Sequence, residues 1–374
     1  MGDHFQFWAA GHLVATGGSM YDRSAWQAIA ALGPVPDGVA VNTVIFNLTQ
    51  AADIWPYPPT IAFLLAPFGA LPLAAGVTAL HLFVALTAIG SVVLGARIAG
   101  LRGLRLGAAL SLTVVSEPFI VGVRDGHPIG LLLLGMTLLF VGLRDKRYAM
   151  IAAGVAIMTI KPHLAIAGAI ATIALLVWRR DRRGFASAAL SLIVVTILAE
   201  LRDPYPLARI SGAAGTWLGF DVTTVGALAR DLGGGLPLTI ALLLLASALA
   251  TFAVARADRP VRWATAYAAV LAMSLVLAPY AHDYDMLLVL PALVVVAGIA
   301  RGSLREPVAL AVTAILIVVV PWMLFLWWPL LGQTDRPAWG GPLGSLPLIA
   351  VGALAVAIAT RAAAPSARRT GSSP

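Results

Sequence analysis

Long apolar blocks without interruption repeat along the chain from residue 73 to near its end. The chain is 60% hydrophobic and 11% charged, whereas a soluble domain carries about 25% charged residues. Membrane-spanning β-barrels show short strands of alternating polarity, and the blocks here are continuous. The pattern therefore predicts an all-α polytopic membrane protein, with residues 1–374 as a single integral membrane domain.

The blocks predict eleven spanning or re-entrant helices within residues 73–361. A full crossing takes about 20 apolar residues. Several blocks are shorter, and these are candidates for broken or re-entrant helices, which occur where protein or a watery cavity surrounds them. The eleven blocks are 73–96, 104–116, 129–143, 148–160, 163–178, 185–199, 236–256, 262–278, 284–300, 307–327 and 343–361.

Most of the 25 basic residues form clusters between alternate blocks. Such clusters are retained in the cytoplasm, so the chain is predicted to be a multi-pass protein of the plasma membrane. Residues 1–72 then lie outside the cell, and a disordered tail, residues 362–374, lies inside. A net charge of +8 with this distribution does not form a basic face for nucleic acid. The chain contains no Cys, which excludes disulfides and thiolate metal sites.

The external segment 1–72 is predicted to contain interfacial helices. An amphipathic helix should run from Phe5 to Thr16 in the membrane interface and end at Gly17-Gly18, because glycine suits the left-handed position after a helix. Pro58-Pro59 should open a second short helix, since proline is accepted in a first turn. An external start at Met1 leads us to expect that a spanning helix upstream is missing from this sequence, unless the segment translocates unaided.

Ionisable residues collect at the external ends of the blocks, where charges beside a membrane are functional candidates. Asp3 is either a general base for an attacking hydroxyl or an ordinary solvated acid. Lys161, in Lys161-Pro162-His163, either binds a phosphate as a point charge or snorkels to the interface. Arg124 and Asp125 lie in a predicted external loop and either pair with each other or serve the site, which His127 can also reach.

The segment His282-Asp283-Tyr284-Asp285 combines an imidazole with two carboxylates. Asp283 and Asp285 form the Asp-x-Asp pattern with which soluble nucleotide-sugar transferases hold a divalent metal. The Rossmann-like context of those enzymes is absent here, so a metal is not favoured and no cofactor is expected. A role for His282 as a partner for a phosphate or a substrate hydroxyl is preferred to a metal site, and a polar helix cap is the open alternative.

These motifs together resemble those of the polytopic glycosyltransferase family 87. Asp3 before aromatic residues, then Gly17 through Asp22, resembles the first external segment of that family, and Tyr57-Pro58-Pro59 resembles its next motif. Gly126-His127 stands where the family usually has Gly-Gln. Lys161-Pro162 matches its Lys-Pro, and the segment 279–285 is similar to its late external motif. The family includes bacterial mannosyl- and arabinosyltransferases that use polyprenyl-phosphate sugars.

The resemblance implies a GT-C helical bundle that transfers a mannose- or arabinose-like sugar from a polyprenyl-phosphate donor to a lipid or glycan acceptor of the cell envelope. Asp3, at the position of the family's first-loop acid, is then the general base, and inversion at the anomeric carbon is the expected outcome. The residues expected to bind the donor phosphate or the substrates are Lys161, His163, His282, His127, Arg124, Tyr57, Asp283 and Asp285.

Two other classes of membrane protein also fit parts of the pattern. A transporter would explain broken helices, but transporters often contain inverted repeats, and the sequence shows no convincing repeat. A flippase or an envelope polymer ligase is the third possibility. A ligase should use a polyprenyl-diphosphate oligosaccharide, so the dependence of transfer on the donor separates it from the glycosyltransferase.

Overall fold

A computed structural model describes residues 4–32, 57–204, 260–276, 281–291 and short pieces between residues 237 and 323. All regular elements in this part are helical, which confirms the all-α class. The α-helices are α1 His4–Ala15, α2 Arg23–Leu32, α3 Pro59–Gly69, α4 Leu73–Ile98, α5 Leu104–Val114, α6 Glu117–Arg124, α7 Ile129–Asp145, α8 Tyr148–Met158, α9 Pro162–Trp178, α10 Arg182–Arg202 and α11 Pro260–Val276. A 3-10 helix, Asp283–Leu288, and a π-helix, Ile315–Val319, follow.

Two of the described helices are long and apolar enough to cross a membrane. They are α4, with 26 residues and a mean hydropathy of 2.2, and α10, with 21 residues and a mean hydropathy of 2.0. A third span results if α5 and α6, which meet at an angle of 57°, are one broken crossing. The eleven predicted spans are not shown: the block 343–361, most of 236–256 and 307–327, and the later part of 284–300 lie outside the described residues, as does the tail 362–374.

The break between α5 and α6 corrects the prediction of an external loop between residues 116 and 129. Residues 117–124 form a helix instead, and the Glu117 side chain is buried. Pro118 explains the end of α5 and the start of α6, because its ring would clash with the carbonyl four residues earlier if α5 continued, whereas proline is accepted in the first turn of a new helix. Pro118 thus signals both the break and the new helix, and neither signal entered the prediction of a loop.

Helix α1 has nearly the predicted bounds but a different environment. Its end is confirmed: Gly17 has a φ of 88°, and the N–H of Gly18 donates to the carbonyl of Leu13 at 2.7 Å, the hydrogen bond of a Schellman cap. The prediction of a single apolar face, formed by Phe5, Trp8, Ala9 and Leu13, is wrong, because Phe7, Ala10 and Gly11 are buried as well. Helix α1 therefore packs against the bundle on several sides, and its place relative to the membrane interface stays a prediction.

Glycines bring α1 into backbone contact with α3. A Cβ on Gly69 would overlap the backbone of Gly11 and His12, and a Cβ on Gly11 would overlap the carbonyl of Leu65. The imidazole Nδ1 of His12 also lies 2.8 Å from the Gly69 carbonyl oxygen. Helix α3 begins with Pro59 in its first turn, as predicted. The contact fixes α1 against the bundle with no side chain between the two backbones.

The end of α10 holds the turn that follows α1. Asp203 is 5% exposed and accepts hydrogen bonds from the Ser19 hydroxyl at 2.6 Å and from the Met20 N–H at 2.8 Å. The Arg202 guanidinium donates to the Gly18 carbonyl at 3.1 Å. Downstream, the Asp22 carboxylate accepts hydrogen bonds from Ser24, which lower the pKa of Asp22. The second half of α1 is therefore held by α3, and the turn that follows it is held by the end of α10.

We predict that Gly69→Ala lowers the stability of the protein by about 1–3 kcal/mol, because inserting a methyl group into a packed contact forces a backbone shift. Gly90→Ala in α4 is the matched control, since a Cβ there meets nothing within 4 Å and alanine favours helix. Thermal unfolding in detergent micelles measures both. Equal melting temperatures for the two variants would contradict the backbone contact.

Candidate active site

A buried ion pair joins two distant parts of the sequence. The Nζ of Lys161 lies 2.7 Å from the Oδ1 of Asp285, and the two side chains are 1% and 0% exposed. Lys161 directly precedes α9, and its burial excludes the snorkelling alternative. Taking two charges out of water is costly, and such a pair is weak evidence for stability. The pair therefore marks this position as a functional candidate.

The second carboxylate oxygen of Asp285 fixes the backbone of His282. Oδ2 accepts a hydrogen bond from the His282 N–H at 3.0 Å, and the Asp285 N–H donates to the His282 carbonyl at 3.0 Å. The polar-cap interpretation of the segment is thus confirmed for Asp285. His282 is half-buried and directly precedes the 3-10 helix. Because Asp285 also pairs with Lys161, the ion pair fixes the backbone position from which the His282 side chain extends.

Tyr284 lies at the centre of a group of rings. The His127 imidazole stacks on it with centroids 3.7 Å apart and an interplanar angle of 19°. The His282 imidazole stacks at 5.1 Å and 27°. The Lys161 ammonium lies 4.8 Å from the Tyr284 centroid, within the range of a cation–π interaction. His163, in the first turn of α9, interacts electrostatically with Lys161, Asp285 and His282.

His127 reaches this group because α6 ends in a left-handed glycine. Gly126 has a φ of 69°, and the N–H of His127 donates to the Gly122 carbonyl at 2.9 Å, which again is a Schellman cap. The turn directs the His127 side chain into the bundle, where it is 1% exposed. The prediction that His127 reaches the site rather than the surface is consistent with this position.

Helix α1 brings further rings to the same group. Phe7 lies edge-on to His127 with centroids 4.9 Å apart, and its ring is 5.5 Å from that of Tyr57. The start of α1 is close to the α6–α7 corner: a Cβ on Gly126 would lie 2.9 Å from the Cβ of His4. The His4 imidazole in turn lies 5.3 Å from that of His81 on α4. The first turn of α1 therefore borders the His127–Tyr284 stack.

One predicted residue lies apart from the buried group, and two more fall outside the described residues. Arg124 is 59% exposed and pairs with Asp125 at 2.8 Å, as the simpler of the two interpretations stated. Asp3 lies outside the described residues, and so does the side chain of Asp283. The described residues also contain no group of three His, Asp or Glu side chains placed to hold a metal, and Asp285 is engaged by Lys161.

An apolar groove of about 530 Å³ opens between α3, α8 and α10. Thr60, at one end, donates from its hydroxyl to the Thr159 carbonyl at 3.2 Å. That carbonyl is two residues from Lys161 in the chain, so the groove begins near the ion pair. The lining residues are Thr60, Phe63, Leu64, Ala156, Ile157, Val195, Leu198, Leu201 and Arg202.

The sequence matches the model of glycosyltransferase family 87 over residues 55–279, more than half of its 374 residues. The chain belongs to glycosyltransferase family 87. It is therefore a glycosyltransferase, and its membrane-length helices indicate an integral membrane protein that acts with a sugar donor and an acceptor. Searches of curated proteins and of solved structures each found no similar protein.

The matched range contains only part of the candidate site. Tyr57, Arg124, His127, Lys161 and His163 lie within it. Asp3 precedes it, and the segment from His282 to Asp285 follows it. The described structure nevertheless packs that later segment directly against Lys161 and His127, because Asp285 and Tyr284 contact them.

Sequence reasoning missed Tyr284, Phe7, His4 and His81 as members of the site. Tyr284 lies within a segment that was selected for its charged residues. Its place between two carboxylates was the signal in the sequence that could have pointed to it. Phe7 belongs to a run that reads as apolar helix. His4 and His81 are isolated in the sequence, and only the packing of α1 against α4 and the α6–α7 corner brings them together.

We predict that Lys161→Met destabilises the protein by about 3–5 kcal/mol, because it leaves the Asp285 carboxylate buried without its counter-charge. The double variant Lys161→Met/Asp285→Leu should recover most of that loss. Arg144→Met is the control, since Arg144 forms a surface pair with Asp145 at 2.7 Å and surface pairs contribute at most about 1 kcal/mol. Unfolding in detergent measures all three, and a double variant no more stable than Lys161→Met would contradict the pair.

Proposed function

We propose that this protein transfers a mannose- or arabinose-like sugar from a polyprenyl-phosphate donor to a lipid or glycan acceptor of the cell envelope. The reaction takes place at the outer face of a bacterial plasma membrane and inverts the anomeric carbon. Membership of family 87 supports the class of reaction. The observation that carries the proposal is the group of one ammonium and two imidazoles around the buried Tyr284 ring, bordered by the first turn of α1.

The proposed chemistry needs one base and a set of phosphate-binding groups. The acceptor oxygen forms a bond to the anomeric carbon, the bond from that carbon to the phosphate oxygen breaks, and the acceptor proton passes to the base. Glycoside hydrolysis uses two carboxyl groups, one of which protonates the leaving oxygen. A phosphate is a good leaving group and needs no such acid, so one carboxylate is sufficient.

Asp3 is the proposed base. It directly precedes His4 in the chain, and His4 lies against Gly126, next to His127. The first turn of α1 is thus held beside the group that is proposed to bind phosphate. Packing of α1 against α3 supports a rigid position for that turn, which a general base requires because it must lie within hydrogen-bond reach of the proton that it removes.

The donor phosphate is proposed to bind among Lys161, His163, His282 and His127. Preorganised donors aimed at developing negative charge stabilise a transition state with little reorganisation. Lys161 is already paired with Asp285, so its attraction for the phosphate is partly cancelled by that carboxylate. The hydrogen bonds to the phosphate are therefore proposed to come from the imidazoles. Arg124 lies outside the buried group and is proposed to meet the substrate only after exchanging its contact with Asp125.

The groove between α3, α8 and α10 is proposed to receive part of the isoprenoid chain. Its lining is almost wholly apolar, and its Thr60 end is close in the chain to Tyr57 and, through Thr159, to Lys161. An isoprenoid chain that lies there would bring its phosphate towards the ion pair. Each buried methylene contributes about 0.8 kcal/mol, so a few isoprene units account for a substantial part of the donor affinity.

We predict that Asp3→Asn abolishes sugar transfer in membranes while the amount of folded protein stays the same, because the amide cannot accept the acceptor's proton. Asp145→Asn, which affects a surface carboxylate paired with Arg144, is the matched control and should retain activity. The assay uses radiolabelled sugars on a panel of polyprenyl-phosphate donors. If Asp3→Asn retains transfer, Asp3 is not the general base. If the wild-type protein transfers only from polyprenyl-diphosphate oligosaccharides, the protein is a ligase.

We predict that Leu198→Trp raises the KM for a long-chain donor about tenfold, because the larger side chain fills part of the groove and displaces the isoprenoid chain. Exposing two methylene groups of the donor costs about 1.6 kcal/mol, slightly more than the roughly 1.4 kcal/mol of one tenfold step. Leu198 lines the groove and is 57% exposed. Leu190→Trp, on the same helix at a position 64% exposed, is the control. A short-chain donor should show a smaller difference, and equal KM values for the two variants would contradict the placement of the chain.

A further inference from the structure

We propose that Tyr284 is a positioning residue that sets the relative places of His127, His282 and Lys161. This inference rests on the proposed function, because it assigns these three groups to the donor phosphate. Tyr284 itself is 5% exposed and needs no contact with substrate. Its ring contacts all three groups, which come from the α6–α7 corner, the segment before the 3-10 helix, and the residue that precedes α9.

The three contacts use the ring rather than the hydroxyl. Both imidazoles lie nearly parallel to Tyr284, with angles of 19° and 27°, and the ammonium lies 4.8 Å from its centroid. An aromatic face carries partial negative charge, which favours offset stacking and attracts cations. A phenyl ring would satisfy the same contacts, whereas an aliphatic side chain of similar volume would not.

The backbone holds the Tyr284 ring in place from two directions. Its neighbour Asp285 is fixed by Lys161 and by the His282 N–H. On the other side, α6 approaches closely, since a Cβ on Gly122 would lie 3.5 Å from the Cβ of Tyr284. The ion pair that holds Lys161 therefore also holds the Tyr284 ring. The ring in turn packs against His127, which belongs to a different segment of the chain, and so restricts the position of that imidazole.

This arrangement has a consequence for catalysis. His127 and His282 are 155 residues apart in sequence and both stack on the Tyr284 ring. Removing that ring takes away the one contact that they share, so their positions relative to each other and to the phosphate change. Misplacing catalytic groups by about 1 Å can cost on the order of 100-fold in rate. The loss should appear as weaker donor binding and slower transfer, whereas the acceptor KM should not change.

The test compares Tyr284→Phe with Tyr284→Leu. We expect Tyr284→Phe to keep kcat/KM within about threefold of the wild-type value, because the ring contacts remain. We expect Tyr284→Leu to lower kcat/KM for the donor by roughly 100-fold, with an unchanged acceptor KM. Tyr284→Met, without a ring but of similar length, is a second variant with the same expectation should Tyr284→Leu yield no folded protein.

Tyr267→Leu is the structural control. Tyr267 is fully buried, bonds through its hydroxyl to Thr137 at 2.7 Å and packs against Phe140, neither of which is a candidate site residue. This variant should lower the melting temperature and the yield of folded protein but leave the donor KM of the folded fraction unchanged. A loss of stability alone in Tyr284→Leu, with wild-type donor KM and kcat, would overturn the positioning role.

Two further outcomes separate this inference from the proposed function. If Tyr284→Phe is as impaired as Tyr284→Leu, the hydroxyl and not the ring matters, and the inference is wrong while the transferase stands. If the wild-type protein transfers no sugar from any donor, the proposed function fails. Binding of undecaprenyl monophosphate, measured by native mass spectrometry, then tests Tyr284 directly: weaker binding to Tyr284→Leu than to Tyr284→Phe supports the inference, and equal binding overturns it.

Discussion

The buried ion pair between Lys161 and Asp285 organises the part of the molecule in which the chemistry is proposed. It joins residues 124 positions apart and places the start of α9 next to the 3-10 helix. Two buried charges are tolerated only when each is paired and the remaining polar atoms are bonded. Asp285 meets this condition by accepting from Lys161 with one oxygen and from the His282 N–H with the other. One carboxylate therefore connects the residue before α9 with the start of the 3-10 helix.

A second constraint is the close packing of α1. Its glycine contact with α3 and the Asp203 anchor behind it hold the helix inside the bundle, and its first turn meets the α6–α7 corner at Gly126. A sequence segment that reads as a peripheral helix is therefore a structural part of the site. The ring contacts of Phe7 with His127 and Tyr57 extend the same packing to two of the predicted donor-binding residues.

Local signals predicted local structure well. Gly17 and Pro59 marked the end of α1 and the start of α3, since each residue has a backbone preference that few others share. The burial of α1 was missed because Phe7, Ala10 and Gly11 fit a lipid-facing helix as well as an internal one. Lys161 and Asp285 were both selected as candidates, but their pairing depends on how α9 packs against the later segment, which no local pattern encodes. For the same reason Tyr284 was passed over between two more conspicuous charges.

The groove between α3, α8 and α10 bears on how the donor arrives. Helix α10 is long and apolar enough to cross a bilayer, and only 17% of its apolar window is buried, so we propose that this side of the protein faces lipid. A substrate that enters here comes sideways within the membrane and never crosses water. Its supply is then set by two-dimensional diffusion and by its mole fraction among the surrounding lipids. Diluting the membrane with other lipids slows such an enzyme even when the total amount of donor in the vessel is constant.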